Sequence, residues 1–217
     1  MTTEKLFWKN PYQTECRAKA TAIDGNKVKL DKTIFFAFSG GQESDEGTIN
    51  GIKVINAVKE GDKESIIDIS YELEKAPDFE AGDEVEVKIN PEKRDKLRRL
   101  HSIAHVVYYI TTEKLGKLKI IGSNITSEKA RMDFLYDKNL NEVLADIEKA
   151  VNDFLAADHA IMMQDDAEKP DLRWWTCEAW KMPCGGTHVK STKEIGKIVL
   201  KRRNIGAGKE RIEMYLS

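Results

Sequence analysis

Through the first ninety residues, apolar and polar positions alternate in short runs. In Glu15–Ile23 the small apolar residues Cys16, Ala18, Ala20 and Ala22 occupy every second position, the period of a half-buried strand. Asp24-Gly25-Asn26 is a turn signal leading into Lys27–Leu30. Ile52–Val58, Glu64–Leu73 and Glu84–Ile89 are further strand-like runs. Short strands with turn punctuation predict a small antiparallel barrel or sandwich, and the barrel is our reading.

The pattern changes at Asn90, a good N-cap followed by Pro91 at the first helical position. A helix is expected to about Leu115, stopped by Gly116, with Leu97, Leu100, Ala104 and Val107 on its apolar face. Strands are expected around Lys119–Thr126 and Ala130–Leu135. Leu140, Val143, Leu144, Ile147, Ala150, Val151, Phe154 and Leu155 fall at helical spacing, and strand-like runs return in Ile195–Tyr215. The expected fold is α+β, with an N-terminal barrel domain over residues 1–90 and a mixed α+β domain over residues 91–217.

The chain has 217 residues, 41% hydrophobic and 33% charged, a globular rather than a disordered composition. The apolar run Ile103–Thr112 is too short to cross a membrane, and MTTEKLFWKNP lacks the apolar stretch of a secretory signal. Cys16, Cys177 and Cys184 cannot form a paired disulfide framework, so a cytoplasmic location is expected and no membrane partner. The net charge of −2 hides an asymmetry. Lys88–His101 holds six basic and two acidic residues, Lys190–Ser217 eight and three, and Asp137–Asp171 ten acids against three lysines. A polyanion would therefore meet one face, not the whole molecule.

Two spaced clusters carry the strongest chemistry. His101-Ser102-Ile103-Ala104-His105 puts two imidazoles one helical turn apart on one face. Cys184-Gly185-Gly186-Thr187-His188 adds a thiol and a third imidazole. Three nitrogens and one sulfur form a donor set that suits zinc. Either half alone reads as ordinary helix histidines or a glycine turn beside a cysteine; the two together favour a metal. Ser102 occupies the position of the general-base glutamate of HExxH zinc peptidases, so that mechanism lacks its base. A third segment, Phe38-Ser39-Gly40-Gly41-Gln42-Glu43-Ser44-Asp45-Glu46-Gly47, is a glycine-rich turn that is neither a Walker loop nor a Rossmann fingerprint.

HSIAH, then GSNITSEKARMDF, then MPCGGTHV, with FSGGQESDEG upstream, resembles in this order the editing domain of alanyl-tRNA synthetase. More closely it resembles AlaX, the freestanding relatives that clear mischarged tRNA-Ala, and within AlaX the medium-length class. The resemblance runs from about Ile34 to Leu216. It implies zinc on His101, His105, Cys184 and His188. It implies a loop of Ser39, Gly40, Gly41, Gln42 and Asp45 shaping the pocket for the aminoacyl end, with Gly122, Ser123 and Arg131-Met132-Asp133 on a strand pair beside it. Ser39 stands where many relatives have the first loop glycine. Ile120 replaces a glutamine common two residues before the Gly-Ser pair, so no role of that glutamine carries over.

The implied reaction is hydrolysis of the ester between an amino acid and the terminal ribose of tRNA-Ala. Zinc would either activate water and polarise the carbonyl, or hold the substrate's α-amino group. Backbone amides of Gly185, Gly186 or the Gly40–Gly41 turn are oxyanion donors in this scheme, and Thr187 and Ser123 are the hydroxyls expected near the reacting groups. Serine is the expected misacylated residue, with glycine second. The tRNA is expected against Lys93, Arg94, Lys96, Arg98 and Arg99 and against Lys201, Arg202, Arg203, Lys209 and Arg211. Trp174, Trp175 and Trp180 are read as core aromatics in preference to base-stacking platforms, and Cys177 as a buried small hydrophobe. The alternatives are a non-catalytic zinc-stabilised tRNA-binding module and a zinc hydrolase of small esters or amides.

Overall fold

The computed structural model describes residues 2–61, 66–169, 172–206 and 208–217. The chain forms two compact units, one of residues 1–95, 165–173 and 184–187, the other of residues 96–164, 174–183 and 188–217. Elements of both classes are present, so the fold is α+β.

The first unit opens with β1 (Glu4–Lys5), the single turn α1 (Leu6–Lys9), β2 (Glu15–Asp24), β3 (Lys27–Leu30), β4 (Lys32–Thr33), β5 (Gly47–Ile49), β6 (Ile52–Gly61), β7 (Ile66–Leu73) and β8 (Glu84–Ile89). The strands β2, β3, β7, β6, β5 and β8 pair antiparallel in that order, and β8 returns to β2 with Val87 opposite Cys16. The sheet is thus a closed barrel without free edges. Strict alternation in Glu-Val-Glu-Val-Lys-Ile of β8 sends Val85, Val87 and Ile89 inward. Ala18 and Ala20 are the small inward residues of β2, and Phe35, Tyr71 and Leu73 share the same core. Glu64 and Ser65, at the start of the expected strand Glu64–Leu73, lie outside the described residues, as does Asp171 of the acidic stretch.

Two departures from the sequence pattern have local causes. Ala22 faces solvent although it continues the alternating set, because the β2–β3 register shifts between Ala20 and Ala22. The bulge reverses the phase, and Ile23 packs against the core instead. β5 begins at Gly47, the last residue of the glycine-rich segment, and no apolar alternation announces it. Its Gly47 is dictated by packing: a Cβ there would sit 2.0 Å from the carbonyl oxygen of Lys88 on the neighbouring strand.

Asn90 caps α2 (Pro91–Leu115) as the sequence predicts, its Oδ1 accepting the amides of Glu92 and Lys93 at 3.0 and 3.2 Å. In the second unit α2 carries buried Leu97, Leu100, Ile103, Ala104, Val106, Val107 and Ile110, a wider apolar surface than one amphipathic stripe. The strands β9 (Lys119–Ile125), β10 (Ala130–Leu135), β14 (Ile198–Asn204) and β15 (Lys209–Leu216) form an antiparallel sheet ordered β14-β15-β10-β9. A three-stranded sheet joins β11 (Ile161–Asp165), β12 (Arg173–Cys177) and β13 (Trp180–Pro183), of which the sequence pattern predicts neither β12 nor β13. Between these sheets in the chain lies α3 (Asn141–Ala156). Its Asn152 accepts the Ile198 amide and donates to the Ile198 carbonyl, while Glu148 accepts the Leu200 amide. These bonds occupy the outer edge of β14, which would otherwise present unpaired backbone groups.

The basic stretch of α2 is not the solvated nucleic-acid face expected of it. Lys93, Arg94 and Arg98 are buried, and only Lys96 of the five residues is exposed. Lys93 Nζ donates to Glu43 and Glu46, each at 2.9 Å. Arg94 donates to both carboxylate oxygens of Asp45 and to the carbonyls of Ile34 and Pro11. Arg99 grips the Ile195 carbonyl. These cations neutralise and tie down protein groups. The second basic set differs: Lys201, Arg203 and Lys209 remain exposed on the β14–β15 hairpin.

Arg94→Met would leave the Asp45 charge buried without its partner. We expect it to lower the unfolding free energy by about 3–5 kcal/mol in urea titrations, with much of the loss recovered in the Arg94→Met/Asp45→Leu double variant.

Candidate metal centre

His101, His105, Cys184 and His188 come together, with their potential ligand atoms all within 4.8 Å of one another. Helix α2 supplies the first two, whose rings lie 5.0 Å apart and nearly perpendicular. The His188 ring lies 4.3 Å from that of His101 and 4.8 Å from that of His105. The segment after β13 is pinned residue by residue. The Cys184 amide donates to the Arg173 carbonyl at 2.8 Å, and Trp8 Nε1 donates to the Gly185 carbonyl at 2.8 Å. The Thr187 amide donates to Gln42 Oε1 at 3.0 Å while Gln42 Nε2 donates to Thr187 Oγ1 at 2.9 Å. His188 Nδ1 meets Ser102 Oγ at 3.1 Å, and the same oxygen accepts the Val189 amide at 3.2 Å.

Burial sets the charge state of these groups. Desolvation pushes His101 down to about 4, and His105 goes well below its ordinary value through burial and the proximity of His101. Burial lifts the Cys184 thiol to about 11, although the Gly186 amide and Arg173 pull the other way. Without a cation, His101, His105 and Cys184 are therefore neutral at pH 7, so His101 and His105 present unprotonated nitrogens. His105 Nδ1 is buried without a hydrogen-bond partner. An orphaned imidazole nitrogen beside two more imidazoles and a thiol fits a borderline-soft divalent ion such as zinc; a bound cation would also favour the thiolate.

The surroundings are aromatic. Trp175, wholly buried, meets the His105 ring edge-on at 4.7 Å. Tyr109 stacks on Trp180 at 5.0 Å, and Trp180 Nε1 donates to Glu113 at 2.8 Å. Trp174 is half-buried under Lys181, whose Nζ lies 4.6 Å from its ring centre. Cys177 is buried on β12, and burial raises its thiol to about 11.

In the glycine-rich segment, Ser39 and Gln42 exchange backbone hydrogen bonds of 3.2 and 2.9 Å around Gly40 and Gly41. Both glycines have positive φ, +59° and +86°, which a tight turn of this hand requires. Lys59 Nζ donates to Ser39 Oγ at 3.2 Å. The Asp45 carboxylate is engaged by Arg94 and by the Phe36 amide at 2.7 Å, and the Gln42 amide by Thr187. On the strand pair, Ser123 is exposed on β9 opposite Met132 of β10. Arg131 and Arg211 both bind Asp133, and the missing side chain of Gly122 leaves room for that carboxylate, 3.2 Å from where a Cβ would stand. The sequence reading missed the roles of Ser102, Trp8 and Arg94. A serine amid the apolar residues of a helix was the one available signal for Ser102.

Comparison with known proteins gives a consistent picture. A family model described as the threonyl and alanyl tRNA synthetase second additional domain matches residues 172–213, which include Cys184 and His188. The alanyl-tRNA editing protein AlaX-M of Pyrococcus horikoshii is 37% identical over 99% of this chain and 98% of its own length. The alanine–tRNA ligase of Methanococcus maripaludis is 36% identical over 97% of this chain, and that of Campylobacter jejuni 31% over 94%. Those matches cover only 26% and 27% of the ligases.

The depressed histidines give a signed pH dependence. The unfolded chain binds more protons than the fold once the pH drops below about 6.5, so the stability of chelator-treated protein is full above that value. It should fall as the pH moves towards about 4, the value given for His101. We expect a slope of about 1.4 kcal/mol per pH unit for each histidine in that window. His101→Leu should reduce the slope by one proton in denaturant titrations at stepped pH.

Proposed function

The chain belongs to the AlaX family of alanyl-tRNA editing proteins, and we propose that it is a trans-acting, zinc-dependent deacylase of mischarged tRNA-Ala. Serine is the proposed amino acid removed, with glycine second. The observation that carries this reading is the donor set of His101, His105, Cys184 and His188, whose potential ligand atoms all lie within 4.8 Å of one another. The near full-length similarity to a protein named for alanyl-tRNA editing supports the substrate class. Bound there, zinc supplies Lewis acidity towards an ester carbonyl, water or an amine.

The chain's own residues bind and orient in this scheme. Thr187 Oγ1 already accepts the Gln42 amide, so its hydroxyl hydrogen is left to donate to substrate or water. Ser123 is the second proposed hydroxyl, and the backbone amides of Gly185, Gly186, Gly40 and Gly41 are the proposed oxyanion donors. Ser39 lines the aminoacyl end in this reading. The parts of Gln42 and Asp45 follow from their bonds: Gln42 positions Thr187, and Asp45 anchors the loop through Arg94. Arg131, held by Asp133, is proposed to face the substrate from β10.

Selectivity has a physical basis. A site that activates alanine distinguishes glycine by one methyl, worth about 1–3 kcal/mol, and excludes an added hydroxyl little better. A second site that hydrogen-bonds the seryl hydroxyl discriminates more strongly, because alanine leaves those partners unsatisfied. The tRNA is proposed to meet the exposed Lys201, Arg203 and Lys209 of the β14–β15 hairpin, and the cytoplasm is its proposed working place.

Two measurements test this. Ser-tRNA-Ala should be deacylated faster than Ala-tRNA-Ala, with His105→Ala and Cys184→Ala at the buffer rate and Thr187→Ala slowed. Binding of tRNA without any deacylation would favour the non-catalytic alternative. Affinity for tRNA should fall steeply with salt, and Lys201→Ala and Lys209→Ala should each reduce the logarithmic salt slope by about 1.

A further inference from the structure

We propose that Ser102 is the positioning residue that presents His188 to the metal, selecting the ring nitrogen that binds it. This rests on the metal reading above and goes beyond it, because it assigns a role to a side chain that is not itself a ligand.

Ser102 lies on α2 between the two histidines of that helix and is fully buried. Its Oγ stands 3.1 Å from His188 Nδ1 and accepts the Val189 amide at 3.2 Å. A serine oxygen has two acceptor positions and one hydrogen. With the Val189 amide on one acceptor position, the other can take a hydrogen from His188 Nδ1. That arrangement puts the imidazole hydrogen on Nδ1 and leaves Nε2 with its lone pair, the state a ligand nitrogen needs. It also ties the His188 ring and the following backbone to one oxygen, so the ring is held at both its torsion and its tautomer.

His105 is held differently from His188. His105 Nδ1 has no hydrogen-bond partner, and its ring is held by packing against Trp175. Its position on a helix already fixes the backbone from which it projects. His188 follows a glycine-containing segment and lies outside any helix or strand. A ligand on such a segment loses more freedom on binding unless its orientation is set in advance. Helix α2 therefore contributes more than His101 and His105: one residue on, the same turn contributes the hydroxyl that aims His188.

The first measurement uses the unaltered protein, stripped of metal in mildly alkaline buffer. Nitrogen-15 spectra of the His188 side chain should show the hydrogen on Nδ1; a hydrogen on Nε2 overturns the proposal, whatever the variants do. Ser102→Ala should then move the tautomer towards Nε2–H and weaken zinc binding by about 10–100-fold in competition with a chromophoric chelator. Ser102→Thr, which keeps the hydroxyl, should restore both. Zinc affinity within twofold of the unaltered protein in a folded Ser102→Ala overturns the proposal. So does weakened affinity with an unchanged tautomer, since that reports general loosening of the fold. If the unaltered protein binds no zinc, the metal reading fails first, and the result is distinct from a failure of Ser102 alone.

Discussion

A helix buried on nearly every side has to satisfy its polar side chains without water. From Leu97 to Thr111, α2 is such a helix, yet it carries His101, Ser102 and His105. Isolated in an apolar core, each would cost on the order of 1–3 kcal/mol unless it found a partner. Ser102 finds His188 and the Val189 amide. The imidazoles stay neutral because burial forbids their charge, and neutrality is what turns buried histidines into donors for a cation. The chemistry of the centre is thus a consequence of where the helix lies.

The glycine-rich segment shows the same economy in the first unit. Its polar side chains do not project as a ready set of substrate contacts. Asp45 is consumed by Arg94, and Gln42 by Thr187. What these bonds achieve is placement: one anchors the loop to the start of α2, the other ties it to the residue preceding His188. Gly40 and Gly41 then turn the chain with no side chain in the way.

Much of this was legible from sequence. The β8 alternation, the Asn90 cap, the Gly116 stop and the HxxxH and CxxxH spacings each express a local rule, and local rules are written in neighbouring residues. What was not legible depends on distant partners. Lys93 and Arg94 read as a basic surface because their acids, Glu43, Glu46 and Asp45, lie about fifty residues away. The strands β12 and β13 are short and rich in tryptophan, without a clean alternation to mark them. Ala22 obeyed the period of two in the sequence and broke it in space, because a bulge is set by the partner strand.

The grip of α3 on β14 sets a length rule for both elements. Glu148 and Asn152 are four residues apart on the helix, a rise of about 6 Å. The residues they bind, Leu200 and Ile198, are two apart on the strand, about 6.6 Å. The helix turn and the strand repeat coincide there like the marks of a vernier. Substitutions around the two clasps leave that coincidence intact. One inserted or deleted residue between Glu148 and Asn152 would swing one clasp by about 100° around the helix, so drift in chain length belongs in the loops on either side.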